Sequence, residues 1–336
     1  MVQGSRLAAP TLLLIGALAW APEPLRADPV HDCRAASNPE TRIAACTAVI
    51  ALRDATSEQK AVAYRNRGRA RAEAGALDAA LSDLGEAIGL KADDGSAYAY
   101  RAQVHVARKN VDAAIADYGQ VIRLKPKWVL GHNGRGHTYL LKGDAQQAID
   151  DFSQALRLAP GSAVSHNNRG LAYKAAGNLP RAIEDFTTAI TINPIYALAY
   201  NNRGYAHEAS GHKKEAIDDF RNALLLDPSL TGAREGLQRL GAMGNLAAES
   251  ARLIGEGKTL VESHCARCHA TGLDGASPNA SAPTFRSLHE RHPMQALREP
   301  LTRGIAAPHD EMPKFRLPDI EVDKIVAYIN SLESRK

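Results

Sequence analysis

The chain has 336 residues, 41 basic and 37 acidic side chains, and a formal net charge of +4. So balanced a charge gives no argument for a nucleic-acid partner or for long-range steering toward a strongly charged one. The length leaves room for two domains, and with four cysteines each can be assigned a role.

Residues 1–27 read as a signal peptide. Met1–Arg6 carries positive charge, Leu12–Trp20 is a short apolar run, and Leu25-Arg26-Ala27 offers a cleavage site before Asp28. The run is too short to span a bilayer, so no stable membrane span is expected after cleavage. The expected compartment is the periplasm, where disulfides persist. Residues 28–60 are expected to form an atypical N-terminal helical cap, with Arg42–Ile50 as a lone helix and a disulfide between Cys33 and Cys46.

From residue 61 the chain repeats every 34 residues, in units 61–94, 95–128, 129–162, 163–196 and 197–230. One register holds Gly68, Ala102, Gly136, Gly170 and Gly204, and another holds Ala80, Ala114, Ala148, Ala182 and Ala216. A third holds Leu84, Tyr118, Phe152, Phe186 and Phe220, and a closing slot holds Ala92, Pro126, Pro160, Pro194 and Pro228. Small residues let paired helices approach, the larger side chain fills the space between them, and proline ends the second helix. This pattern resembles the tetratricopeptide repeat.

Arg67, Arg101, Arg135, Arg169 and Arg203 recur in a further register, and Asp83, Asp117, Asp151, Asp185 and Asp219 in another. They could form a ladder of partly buried ion pairs, or lie on two solvated faces that never meet. Asn133, Asn167 and Asn201 share a register on first helices, where amides could hold an extended peptide or serve the fold. Residues 231–250 are expected to supply a polar capping helix, Gly232–Leu240, and a linker.

Cys265-Ala266-Arg267-Cys268-His269 is a C-x-x-C-H run, the attachment pattern of a c-type haem. Two thiols on one turn can each bond a vinyl group of the porphyrin, and the adjacent imidazole becomes the proximal iron ligand. A redox dithiol would need a βαβ context, and a closed zinc site a second ligand pair. Neither is visible nearby. A helix over Ala251–Glu262 precedes the run. Ala282-Pro283-Thr284-Phe285, Glu311-Met312-Pro313-Lys314-Phe315 and an apolar-periodic helix Ile320–Leu332 follow it.

That order resembles a small class I cytochrome c over residues 251–336. The resemblance implies one covalent haem c on Cys265 and Cys268, with His269 and Met312 as axial ligands. It implies that the Pro283 carbonyl accepts from the second His269 ring nitrogen, and that small Gly257 lets the first and last helices cross under Tyr328. Met294 is the competing methionine but lacks a following Pro-x-Phe. Arg286 and Arg303 are candidate propionate partners.

The whole reading is all-α: a tetratricopeptide-repeat α-solenoid followed by a small helical cytochrome c domain. The expected function is non-enzymatic, single-electron transfer between protein partners. A redox protein would dock at the haem edge, and a protein or peptide in the repeat groove. The alternatives are a repeat-based assembly scaffold with an accessory haem, or a haem-based small-ligand sensor or enzyme.

Overall fold

The computed structural model describes residues 29–244, 246–272, 275–279, 284 and 317–333, and every described element is helical. The chain divides into two compact units, Met1–Ala92 and Asp93–Lys336. The division falls at Ala92, where the later repeats carry proline.

In the first unit, α1 (Pro29–Ala35) and α2 (Pro39–Ala51) form a short hairpin ahead of α3 (Ser57–Glu73) and α4 (Leu77–Leu90). The expected lone helix is therefore half of a pair. Asn38 makes the turn, its side chain accepting from the Glu40 and Thr41 amides ahead of a helix that opens on Pro39. Arg42 donates through Nε to the Ala36 carbonyl at 2.9 Å, closing the hairpin from the other side. A disulfide joins Cys33 to Cys46 with their Cα atoms 4.6 Å apart. Closing a loop of this length contributes up to ~3 kcal/mol in the chain-entropy model. Both sulfurs are buried with Val49 and Ala63. The helix α3 starts four residues before the expected repeat boundary, because Thr56 and Gln59 form a reciprocal capping box.

The second unit opens with four helix pairs. They are α5 (Gly95–Ala107) with α6 (Val111–Leu124), α7 (Val129–Lys142) with α8 (Ala145–Leu158), α9 (Ala163–Ala175) with α10 (Leu179–Ile192), and α11 (Ala197–Ala209) with α12 (Lys213–Leu226). Each second helix also packs on the first helix of the next pair, and α12 packs on the capping helix α13 (Thr231–Arg239). The proline of each closing slot lies two residues past the helix end, where it cannot break an internal hydrogen bond.

The small slot works by contact. A methyl group on Gly170 would lie 2.7 Å from the Phe186 ring, so glycine lets the fully buried phenylalanine close against the facing helix. The turn between paired helices uses a left-handed residue, glycine at 75, 143, 177 and 211 but Lys109 at φ 61 in the second repeat.

The arginines and aspartates do meet. Arg67–Asp83, Arg101–Asp117, Arg135–Asp151, Arg169–Asp185 and Arg203–Asp219 are all two-pronged, Nε and Nη2 donating to the two carboxylate oxygens at 2.7–2.9 Å. The aspartates are buried. The hydrogen bond to Asp185 raises Arg169 above its ordinary pKa, against the opposing effect of burial. Each aspartate has a second basic neighbour: Arg71 at 2.8 Å, His105 at 3.9 Å, His132 at 3.1 Å, His166 at 3.0 Å and His207 at 4.0 Å, in repeat order. Arg67, Arg101, Arg169 and Arg203 also lie over the rings of Tyr64, Tyr98, Tyr173 and Tyr200. A tyrosine therefore stands on one side of the arginine and a second base on the other.

Some arginines also reach the preceding repeat. Arg169 Nη1 donates to Ser153 Oγ at 3.3 Å, and Arg203 Nη1 to Thr187 Oγ1 at 3.0 Å, both sixteen residues upstream. The matching residue for Arg135 is Gly119, around which a Cβ meets nothing within 4 Å. Gly119→Ser should stabilise the array by about 1 to 1.5 kcal/mol, from helix propensity and one new hydrogen bond. In an Arg135→Met background the gain should shrink to about 0.5 kcal/mol, the propensity share alone. Urea unfolding of the four proteins checks this, and an equal gain in both backgrounds would show that no bond forms.

The asymmetry between the asparagines is also informative. Asn133 is bonded to Ser165, while buried Asn167 accepts from Asn202 and donates to Asn168. Both amides are therefore engaged within the fold, while the Asn201 Oδ1 in the same register is buried with no hydrogen-bond partner among the described residues.

Beyond α13 come α14 (Leu246–His264) and α15 (Asp319–Glu333). The helix α14 begins at Leu246, five residues ahead of the helix start expected at Ala251, since Leu246-Ala247-Ala248-Glu249 is a run of strong helix formers.

Candidate functional site

The site lies at the C-terminal end of α14. Helix α14 runs into the cysteine turn without a break, the Cys265 amide donating to the Val261 carbonyl at 2.8 Å. The His269 amide donates to the Cys265 carbonyl at 2.9 Å and the Cys268 amide to the same oxygen at 3.1 Å. Cys265, Cys268 and His269 are thus gathered on one hydrogen-bonded turn. The two thiols are not joined to each other.

Helix α15 supplies the floor. Val322, Ile325, Val326, Tyr328, Ile329 and Leu332 form a buried cluster with Val261, Cys265 and Leu317. The crossing is set at Gly257. A Cβ there would overlap the Lys324 carbonyl oxygen, and would lie 2.6 Å from its carbon and 3.0 Å from Tyr328 Cβ. Only glycine allows that approach. The expected role of Gly257 beneath Tyr328 is the one the packing shows. Lys324 then pairs with Glu256 at 3.0 Å across the same crossing.

Sequence reasoning missed what anchors the segment after His269. Tyr328 donates through its hydroxyl to the Thr271 carbonyl at 2.7 Å. The Ala270 amide donates to Ser277 Oγ at 3.0 Å, and the Asn279 amide to the Cys268 carbonyl at 3.1 Å. These bonds return the chain to the turn and hold His269, itself buried, in place. The aromatic at 328 was legible as a packing residue, but its main-chain partner carries no side-chain signature.

The donor set fits a c-type haem. A pair of unbonded thiols precedes a buried imidazole on one turn, beside an apolar cluster suited to a macrocycle face. A redox dithiol fits less well. Burial, with Cys268 adding to it, pushes the Cys265 thiol up to about 11, whereas reactive cysteines have lowered values. Among the described residues no three His, Cys, Asp or Glu side chains converge as a metal-ligand group. Met312 and Pro283 lie outside the described residues, as do Met294, Arg286 and Arg303.

Residues 254–333 match the family model for Cytochrome c. Residues 163–196 and 197–230 match one tetratricopeptide repeat model, and 65–127 and 101–163 match another. No curated protein sequence matches the chain. Among solved structures, a tetratricopeptide repeat protein from Parabacteroides merdae is 17% identical with a TM-score of 0.52, the match covering 64% of this chain and 90% of that one. MamA from Desulfovibrio magneticus is 20% identical with a TM-score of 0.48, covering 52% of this chain and 99% of that one. At such identities the first likeness shows the repeat fold and nothing more, and the second adds no argument. With the repeat registers, the C-x-x-C-H turn and the glycine crossing in view, the chain is a tetratricopeptide-repeat array fused to a C-terminal, haem-binding cytochrome c domain.

Proposed function

We propose that the chain is an exported monohaem c-type cytochrome that passes single electrons between proteins, with its repeats as the docking module. The observation that carries this is the Cys265–His269 turn, set beside the α14–α15 crossing within the span that matches the cytochrome c family. Bound haem supplies one-electron Fe(III)/Fe(II) cycling. The chain's own residues do the rest. Cys265 and Cys268 are the thioether donors, and the turn's hydrogen bonds hold the His269 imidazole for the iron. Met312, followed in sequence by Pro313 and Phe315, would supply the second iron ligand, and the Pro283 carbonyl would accept from the other ring nitrogen of His269.

With His269 and Met312 both bound to it, the iron would have no open position for a small ligand, which favours a carrier over an enzyme or gas sensor. The cluster around Val261 and Ile325 excludes water from one side of the site. Residues 1–27 direct export to the periplasm, where the Cys33–Cys46 bridge is stable. Among the described residues no helix is long and apolar enough to cross a membrane. A partner held by the repeats raises the effective concentration of the haem edge at its redox protein.

Acid–acetone extraction of the purified protein should leave one haem per chain with the polypeptide, and replacing Cys265 and Cys268 together should abolish the colour. Met312→Ala should lose the near-infrared sulfur-to-iron band and lower the potential, whereas Met294→Ala should do neither. Loss of the band in Met294→Ala alone would overturn the ligand assignment. Fast, complete carbon monoxide binding by the ferrous protein would overturn the carrier.

A further inference from the structure

The last repeat differs from the others at the turn between its helices. Helix α11 ends at Ala209, and the turn Ser210-Gly211-His212 leads into α12, Gly211 taking φ +79. The His212 amide donates to the His207 carbonyl at 2.9 Å, so the backbone fixes the two histidines relative to one another. Their Nδ1 atoms face each other at 3.4 Å, with the rings tilted 53°.

A shared proton prefers a shorter separation, typically about 2.9–3.0 Å for an N–H donor. Two imidazole nitrogens bound to one tetrahedral Zn2+, each at about 2.0–2.1 Å, stand about 3.3–3.4 Å apart. At 3.4 Å the two nitrogens are long for a direct hydrogen bond and match the separation of two imidazole ligands on one tetrahedral ion.

The surroundings agree. His207 Nε2 lies 4.0 Å from Asp219 Oδ2, too far for a direct hydrogen bond but near enough for the carboxylate to favour positive charge at the imidazole. Arg203 holds that carboxylate in place at 2.8 Å. His207 also sits in the last turn of α11, whose dipole favours a cation.

The position of His212 has a second peculiarity. In the third and fourth repeats the same slot holds Asp144 and Asn178, whose side chains cap the following helix by accepting from Gln147 and Arg181 amides. His212 makes no capping bond and turns to His207 instead. The equivalents of His207 in those repeats are Tyr139 and Tyr173, so among these three repeats only the last has the pair.

We propose that His207 and His212 form a two-histidine site for one imidazole-preferring divalent cation of the Zn2+ class. Oxygen-seeking Ca2+ and Mg2+ do not suit such donors. His212 is exposed, and no third His, Cys, Asp or Glu among the described residues joins the pair. Water or a partner's side chain fills the remaining positions.

Calorimetric titration of the haem-loaded, full-length protein with Zn2+ tests the site. The expected result is one Zn2+ per chain at micromolar protein. Affinity should fall at least roughly tenfold in His212→Asn and in His207→Tyr, the first-sphere counterpart of losses known for outer-shell partners. Both replacements are residues the fourth repeat carries in the same slots, and the helical melt without zinc should confirm that they fold. His137→Gln, outside the pair, should bind as the wild type does. Absence of binding in the wild type, unchanged binding in both paired variants, or an equal loss in His137→Gln would each overturn the proposal.

Discussion

Gly257→Ala should unfold the cytochrome domain, while Gly255→Ala, two residues away on the same helix, should stabilise it. The two glycines share composition and helix, so propensity alone predicts a gain of about 1 kcal/mol at both. Packing reverses the sign at 257. The new methyl would overlap the Lys324 carbonyl, which is backbone and has no rotamer to yield, whereas nothing lies within 4 Å of Gly255. Forcing α14 and α15 apart breaks the cluster of Val261, Ile325 and Ile329, and overpacking of this kind costs about 3 kcal/mol or more. That is a large share of the ~5–15 kcal/mol that stabilises a whole domain. The measurement is the Soret band of freshly purified protein beside its helical melt. Gly257→Ala should lose haem while the repeats still melt cooperatively. Full haem retention by that variant would show that the crossing is not rigid.

The second large effect lies in the repeats. Asp185→Asn should destabilise the array by about 3 kcal/mol, the low end for breaking a buried pair, because the Arg169 side chain stays a quarter exposed. Asn removes the charge that both Arg169 and His166 face while keeping the side chain's size. For a folding unit of this length that corresponds to a fall of roughly 6–12 °C in Tm. The double variant Arg169→Met with Asp185→Leu should recover most of the loss, since exchanging both partners removes the uncompensated charge. The haem spectrum should be unchanged in every case. A double variant as unstable as Asp185→Asn would show that the pair, not the stranded charge, sets the cost.

The parts of the molecule that were legible are those where chemistry dictates spacing. Haem attachment needs two thiols and an imidazole on one turn, so Cys265, Cys268 and His269 stand out in any reading. The repeat registers are visible because the same contact, Gly170 on Phe186 for instance, recurs every 34 residues. The arginine and aspartate registers were visible too, but not that they meet. A contact across sixteen residues depends on how two helices cross, which no single helix pattern encodes. The start of α3 was within reach, since Thr56 and Gln59 spell a capping box. The anchoring of the segment after His269 was not, because Thr271 and Cys268 act through carbonyls that every residue has.

The alternation around each arginine has a consequence for how such a chain can diverge. Three residues before the arginine stand Tyr64, Tyr98, His132, His166 and Tyr200. Four residues after it stand Arg71, His105, Tyr139, Tyr173 and His207. Taken singly, each column looks unconstrained, mixing an aromatic phenol with basic groups. Taken together, every repeat has one tyrosine and one base, exchanged between the two columns. The base reaches the aspartate from either side, so the rung accepts the exchange of tyrosine and base between columns. Drift at these positions is therefore coupled: a change in one column costs least when its complement appears in the other, and relatives of this chain would covary there while appearing variable.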